Sequence, residues 1–71
     1  MVSAPLLELA DREFPFLMRH PTNREDAIQV LAITSWETQG RDTVEAARTQ
    51  LSELARGLGY RKDGDRWRKA G

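Results

Sequence analysis

The spacing of apolar side chains predicts three helices, and the clearest one lies in the second half of the chain. Apolar residues recur there at steps of three and four, the spacing of one helix face: Val44, Ala47, Leu51, Leu54 and Leu58. Asp42 and Glu45 are spaced as a capping pair, and Gly57 stands where a left-handed helix end is expected. The pattern predicts a helix over residues 43–56.

The first apolar segment predicts a helix over residues 4–14. Ser3 can cap its N-terminus, and Pro5 is tolerated in its opening turn. Pro15 lacks the backbone N–H that a continuing helix needs, so the helix ends near Phe14 or kinks there.

A central helix is predicted over residues 24–38. Thr22 and Glu25 have the spacing of a capping box. The segment is nearly apolar all round, which indicates a buried helix. Residues 27–36 are also rich in β-branched side chains, so a strand remains the alternative there.

The last residues predict a two-stranded β-hairpin over residues 59–69. An Asp-Gly pair between short strand-like segments is the strongest local signal for a two-residue turn, and Asp63 and Gly64 form such a pair. A turn centred there pairs the strand residues as Lys62 with Asp65, Arg61 with Arg66, and Tyr60 with Trp67. Alternation then separates an aromatic face from an arginine face: Tyr60, Lys62, Asp65, Trp67 and Lys69 against Arg61, Arg66 and Arg68.

These elements together predict a mainly α fold with a C-terminal β-hairpin, three helices plus a two-stranded wing, in a single domain of residues 1–71. A chain of 71 residues has little room for an enclosed cleft, so we expect no enzymatic activity. It contains no cysteine and one histidine, so we expect neither a metal site nor a cofactor. No apolar run reaches membrane-spanning length, so we expect a cytoplasmic protein that does not bind membranes.

The charges are distributed unevenly along the chain. Residues 1–40 hold three basic and six acidic side chains, a net charge of −3, and residues 41–71 hold eight and five, a net charge of +3. The overall net charge is zero, which argues against a general polyanion binder. The basic C-terminal end is therefore predicted to be a local contact surface for an acidic partner.

The order of helix, short turn, helix and hairpin over residues 24–69 resembles the winged helix-turn-helix family, with Gly40 in the turn and Asp63-Gly64 at the tip of the wing. The resemblance implies DNA binding, with helix 43–56 in the major groove and the wing along the backbone. It implies contacts from the helix by Arg41, Thr43, Arg48, Thr49 and Gln50, and from the wing by Arg61, Arg66 and Arg68, with Lys62 and Lys69 beside them.

The alternative is a protein-interaction module, an adaptor or inhibitor that docks the arginine-rich hairpin on an acidic partner protein. Arginine and aromatic side chains dominate such interfaces. In the predicted pairing Arg61 and Arg66 repel each other, and either phosphate or carboxylate would relieve that repulsion. Tyr60 and Trp67 are predicted to be core anchors, whereas exposed rings would favour single-stranded nucleic acid. A homodimer through the stripe of helix 43–56 also remains open.

Overall fold

A computed structural model describes residues 2–39 and 41–70, so Gly40, predicted in the turn, lies outside the described residues. The described residues form four helices followed by an antiparallel hairpin, which confirms the predicted mainly α fold with a C-terminal hairpin. In chain order the elements are α1 (Ala4–Glu13), α2 (Pro15–Met18), α3 (Pro21–Thr38), α4 (Thr43–Gly57), β1 (Tyr60–Asp63) and β2 (Arg66–Lys69).

Prolines set the starts of the first three helices. Each of α1, α2 and α3 has a proline at its first or second position, where a missing N–H costs nothing. Pro15 ends α1 as predicted and also begins the short helix α2, which the sequence pattern does not predict. The prediction of a capping box at Thr22 and Glu25 is wrong, because α3 begins earlier, at Pro21, with His20 as the N-cap.

Residues 27–36 are helical, so the strand alternative is wrong, but the helix is not buried all round. Ala27, Leu31 and Thr34 are buried on the side of α3 that faces the core. Ile33 and Trp36 lie on the outward side, with exposed fractions of 51% and 82%. Within residues 2–39 and 41–70, the other elements cover the first side of this longest helix and leave Ile33 and Trp36 to solvent.

The core lies where α1 and α3 pack on α4, with α2 packed against α1 and α3. Four of its residues are fully buried alanines, Ala10, Ala27, Ala47 and Ala55, whose small side chains let the helices approach closely. The larger core side chains are Leu6, Leu9, Phe14, Leu17, Met18, Leu31 and Leu51. The predicted apolar stripe of α4 is fully buried only in its middle, at Ala47 and Leu51. Of its other members, Leu54 and Leu58 are half-buried and Val44 is exposed, and Ala55, which the pattern does not predict, is buried.

The ends of α4 differ from the prediction. Asp42 is the N-cap residue, but its φ is +47° and its side chain makes no capping hydrogen bond, so the capping pair with Glu45 is wrong. Gly57 stays in the helix, and the left-handed position is Gly59, with a φ of +93°. The Gly59 N–H donates to the Arg56 carbonyl at 3.0 Å, and its carbonyl accepts from the Ala70 N–H at 2.7 Å. Gly59 thus ends the helix and closes the base of the hairpin.

The hairpin register differs from the predicted one by two residues. The observed pairs are Tyr60 with Lys69, Arg61 with Arg68, Lys62 with Trp67, and Asp63 with Arg66. The turn is therefore Gly64-Asp65, and Gly64 supplies a φ of +66° at the first central position, where a type II′ turn needs glycine. A slip of two residues keeps every strand side chain on its predicted face. The predicted pairing is wrong, and the two predicted faces of the strands are confirmed.

Candidate functional site

The hairpin is fixed to the helices by an aromatic cluster, which consists of Phe14, Phe16, Tyr60 and Trp67. The Phe16 ring centroid lies 4.5 Å from that of Tyr60 and 5.8 Å from that of Trp67. Phe14, which is buried, lies 5.8 Å from Trp67. Tilted pairs at these separations are favourable beyond the area they bury. The aromatic cluster therefore holds one face of the hairpin against the α1–α2 junction.

Cationic side chains lie over the two hairpin rings. The Lys69 Nζ is 4.9 Å from the Tyr60 centroid, and the Arg56 Cζ is 5.9 Å from the Trp67 centroid. Each ring thus has an aromatic and a cationic neighbour, and a nucleic-acid base would have to displace one of them in order to stack. This geometry supports the interpretation of Tyr60 and Trp67 as anchors.

The opposite face of the hairpin is exposed and basic. It carries Arg61, Asp63, Arg66 and Arg68. Arg61 and Arg68 are directly opposed, so the repelling pair is this one and not the predicted Arg61–Arg66 pair. Asp63 lies opposite Arg66, and its Oδ2 is 3.5 Å from the Arg68 Nη1, an exposed and therefore weak ion pair. The arginines of this outer face remain accessible to a ligand.

Arg48, a predicted contact residue, is bound to carboxylates within the protein. Its Nε and Nη2 donate to the two oxygens of Glu13 at 2.8 and 2.9 Å, and its Nη1 donates to Glu45 at 3.2 Å. The hydrogen bonds from Arg48 lower the pKa of the Glu13 carboxyl, and the same pairing raises the pKa of Arg48. Arg48 therefore joins α4 to the end of α1.

The remaining predicted residues are divided between two regions. Arg41 and Thr49 are exposed, one just before α4 and the other in its first half. Lys62 lies on the aromatic face of the hairpin and lines a groove of about 320 Å³ beside Arg48. Lys69 lies over Tyr60 at the base of the hairpin. The hairpin leaves from the C-terminal end of α4, so Arg41 lies at the far end of that helix.

Two arginines that the sequence pattern does not single out lie beside the hairpin. Arg12 and Arg19 line a groove of about 280 Å³ together with Arg66. Its other lining residues are Glu13, Pro15, Phe16, Asp65 and Trp67. We call this the arginine groove. In the sequence Arg12 and Arg19 only flank the Phe14–Met18 segment, and no local pattern connects them with a hairpin more than forty residues away.

Comparisons with known proteins add no relative: no protein-family model, no curated protein and no solved structure matches the chain. None of the helices within residues 2–39 and 41–70 combines the length and apolar character needed to cross a membrane. In the same part of the chain no three acidic or histidine side chains are grouped so that they could hold a metal ion. The candidate site is thus defined by its arginines and by the aromatic cluster behind them.

Proposed function

We propose that this chain is a small non-enzymatic regulatory protein that binds DNA, with the outer face of the hairpin against backbone phosphates. The observation that carries the proposal is the division of the hairpin into two faces. One is fixed to the helices by Tyr60 and Trp67, and the other presents Arg61, Arg66 and Arg68 to solvent. The backbone that carries these arginines is already ordered by the hairpin, and the planar guanidinium groups suit a phosphate backbone.

The layout of α3, α4 and hairpin is compatible with a winged helix and supports the DNA proposal. The charges on α4 limit which part of the molecule we assign to DNA contact. Arg48 is held by Glu13 and Glu45, and Arg56 lies 3.5 Å from Glu53. Carboxylates along the helix repel phosphate, so we assign the contact to the hairpin and not to α4. Arg41 and Thr49 then lie outside the principal contact.

The test is a titration of mixed-sequence duplex DNA by fluorescence anisotropy over a series of salt concentrations. The double variant Arg61→Gln/Arg68→Gln removes a repelling pair and should fold normally. For this variant, the slope of log association constant against log salt concentration should be smaller in magnitude than that of wild type, by about 0.9 for each phosphate that the variant no longer neutralises. The matched control Arg41→Gln should keep the wild-type slope. Absence of binding at low salt, or an equally reduced slope in Arg41→Gln, would contradict the proposal.

A second candidate function is docking of the same hairpin on an acidic partner protein. One observation in its favour is the bidentate Arg48–Glu13 pair between α4 and α1, because the hairpin arginines carry the same guanidinium group and suit a carboxylate in the same way. The exposed Ile33 and Trp36 on α3 are also of the kind that protein interfaces cover. Under this function the double variant Arg61→Gln/Arg68→Gln would fail to retain a protein partner in a co-precipitation, while duplex DNA would not bind the wild type.

A further inference from the structure

The arginine groove is lined by arginine residues from three separate elements. Arg12 comes from α1, Arg19 is the C-cap residue of α2, and Arg66 is the first residue of β2. Arg19 donates through its Nε to the Pro15 carbonyl at 3.4 Å, a long hydrogen bond that uses none of its terminal nitrogens. Three arginine residues therefore line one depression in the surface.

The acidic side chains of the groove do not balance these charges. Both carboxylate oxygens of Glu13 accept hydrogen bonds from Arg48, and the Arg12 Nη2 approaches that carboxylate only to 3.7 Å. The other acidic lining residue is Asp65, in the hairpin turn. The groove therefore holds three basic and two acidic side chains, and one of the two carboxylates, Glu13, is already engaged by Arg48. Its ligand should be an anion.

The groove is continuous with the outer face of the hairpin, because Arg66 belongs to both. Pro15, Phe16 and Trp67 supply an apolar wall beside the three cations. A phosphodiester suits such a site, since its oxygens match guanidinium geometry and its sugar can pack on apolar side chains. The wall therefore favours a nucleic-acid backbone over a free anion.

We propose that the arginine groove binds a backbone phosphate of the DNA, through Arg12, Arg19 and Arg66. This inference rests on the proposed function and deepens it. It extends the contact surface from the hairpin onto the α1–α2 junction. In the arrangement of the winged helix-turn-helix family, the DNA contact surface would instead extend along α4.

The experiment compares Arg19→Gln with Arg41→Gln in the same salt series with duplex DNA. Both variants remove one positive charge. The two positions lie at opposite ends of α3, about 27 Å apart at 1.5 Å per residue of an 18-residue helix. Arg19→Gln should reduce the steepness of the salt plot by about 0.9, and Arg41→Gln should leave it unchanged.

A second variant keeps the test independent of folding defects. Asp65→Asn removes the groove carboxylate that Arg48 does not hold and should raise the affinity for DNA several-fold at low salt, a gain that a misfolded protein would not give. If wild type does not bind DNA at all, both proposals fail. If Arg61→Gln/Arg68→Gln has a reduced slope while Arg19→Gln and Asp65→Asn match wild type, only the groove is refuted. If an oligoglutamate peptide binds wild type more tightly than duplex DNA does, and Arg19→Gln abolishes that binding, the occupant is an acidic protein segment and the phosphate assignment is wrong.

Discussion

Arg48 on α4 holds Glu13, the last residue of α1, through two hydrogen bonds of 2.8 and 2.9 Å. The two residues are 35 positions apart in the chain, and their pairing fixes the end of α1 against the middle of α4. The aromatic cluster begins at the next residue, Phe14, and carries the hairpin. The Arg48–Glu13 pair therefore helps to place the hairpin relative to the helices, and its role in this structure is internal.

Breaking this pair should destabilise the fold modestly. Both side chains are partly exposed, so the coupling energy between Arg48→Gln and Glu13→Gln should be about 0.5–1 kcal/mol, the upper range for solvent-accessible pairs. Urea unfolding of wild type, the two single variants and the double variant gives this energy directly. A coupling energy indistinguishable from zero would show that the bidentate pair contributes nothing in solution.

The same pair predicts a pH dependence of stability. Hydrogen bonding to Arg48 lowers the pKa of Glu13 below its ordinary value of 4.5 in the folded protein. Near that pH the unfolded chain binds more protons, so the free energy of unfolding rises with pH. The stabilisation is complete above about pH 5 and disappears as the pH falls through the folded pKa. Urea midpoints of wild type and Glu13→Gln should therefore converge towards acid pH, and a constant difference would contradict the prediction.

Helices α1, α3 and α4 and the hairpin could be predicted because they depend on local signals: periodic apolar residues, prolines and an Asp-Gly pair. The short helix α2 could not. The register could not, because the sequence Asp63-Gly64-Asp65 allows the turn to be centred on either Asp-Gly or Gly-Asp. In the structure the turn is Gly64-Asp65, and Tyr60 and Trp67 both contact Phe16. The strand residues keep their predicted faces because side-chain direction repeats every two residues.

The candidate site could be predicted only in part, because local signals determine the faces of the strands and not the packing of the helices. The hairpin arginines lie on one outer face as expected, since that follows from alternation along the strands. The Arg48–Glu13 pair and the position of Arg12 and Arg19 beside Arg66 depend on how α1 and α2 pack, which no local pattern contains. The exposure of Trp36 does not follow from the sequence, because an apolar helix is expected to be buried and only the packing shows which side is covered.

Alanine substitutions at two glycines, one in α4 and one in the hairpin turn, should change the stability of the protein in opposite directions. Gly57 is helical and a Cβ there meets nothing within 4 Å, so Gly57→Ala should stabilise the protein by about 0.5 kcal/mol. Gly64 has a φ of +66°, so Gly64→Ala should destabilise it by about 1 kcal/mol. Thermal unfolding followed by circular dichroism measures both. Destabilisation by Gly57→Ala would mean that the left-handed end of α4 lies at Gly57 after all.

The two tryptophans should behave as a half-buried and an exposed reporter. Trp67 packs on Phe14 and Phe16, so Trp67→Ala should destabilise the fold by about 2 kcal/mol, less than for a fully buried ring. Trp36 is 82% exposed, and Trp36→Ala should change stability by no more than about 0.5 kcal/mol. In fluorescence, Trp36→Phe should leave a blue-shifted emission that acrylamide quenches poorly, and Trp67→Phe a red-shifted emission that it quenches well. Equal quenching of the two variants would mean that the hairpin does not stay packed on the aromatic cluster, and the arginines would then lack the rigid support on which the proposed binding surface depends.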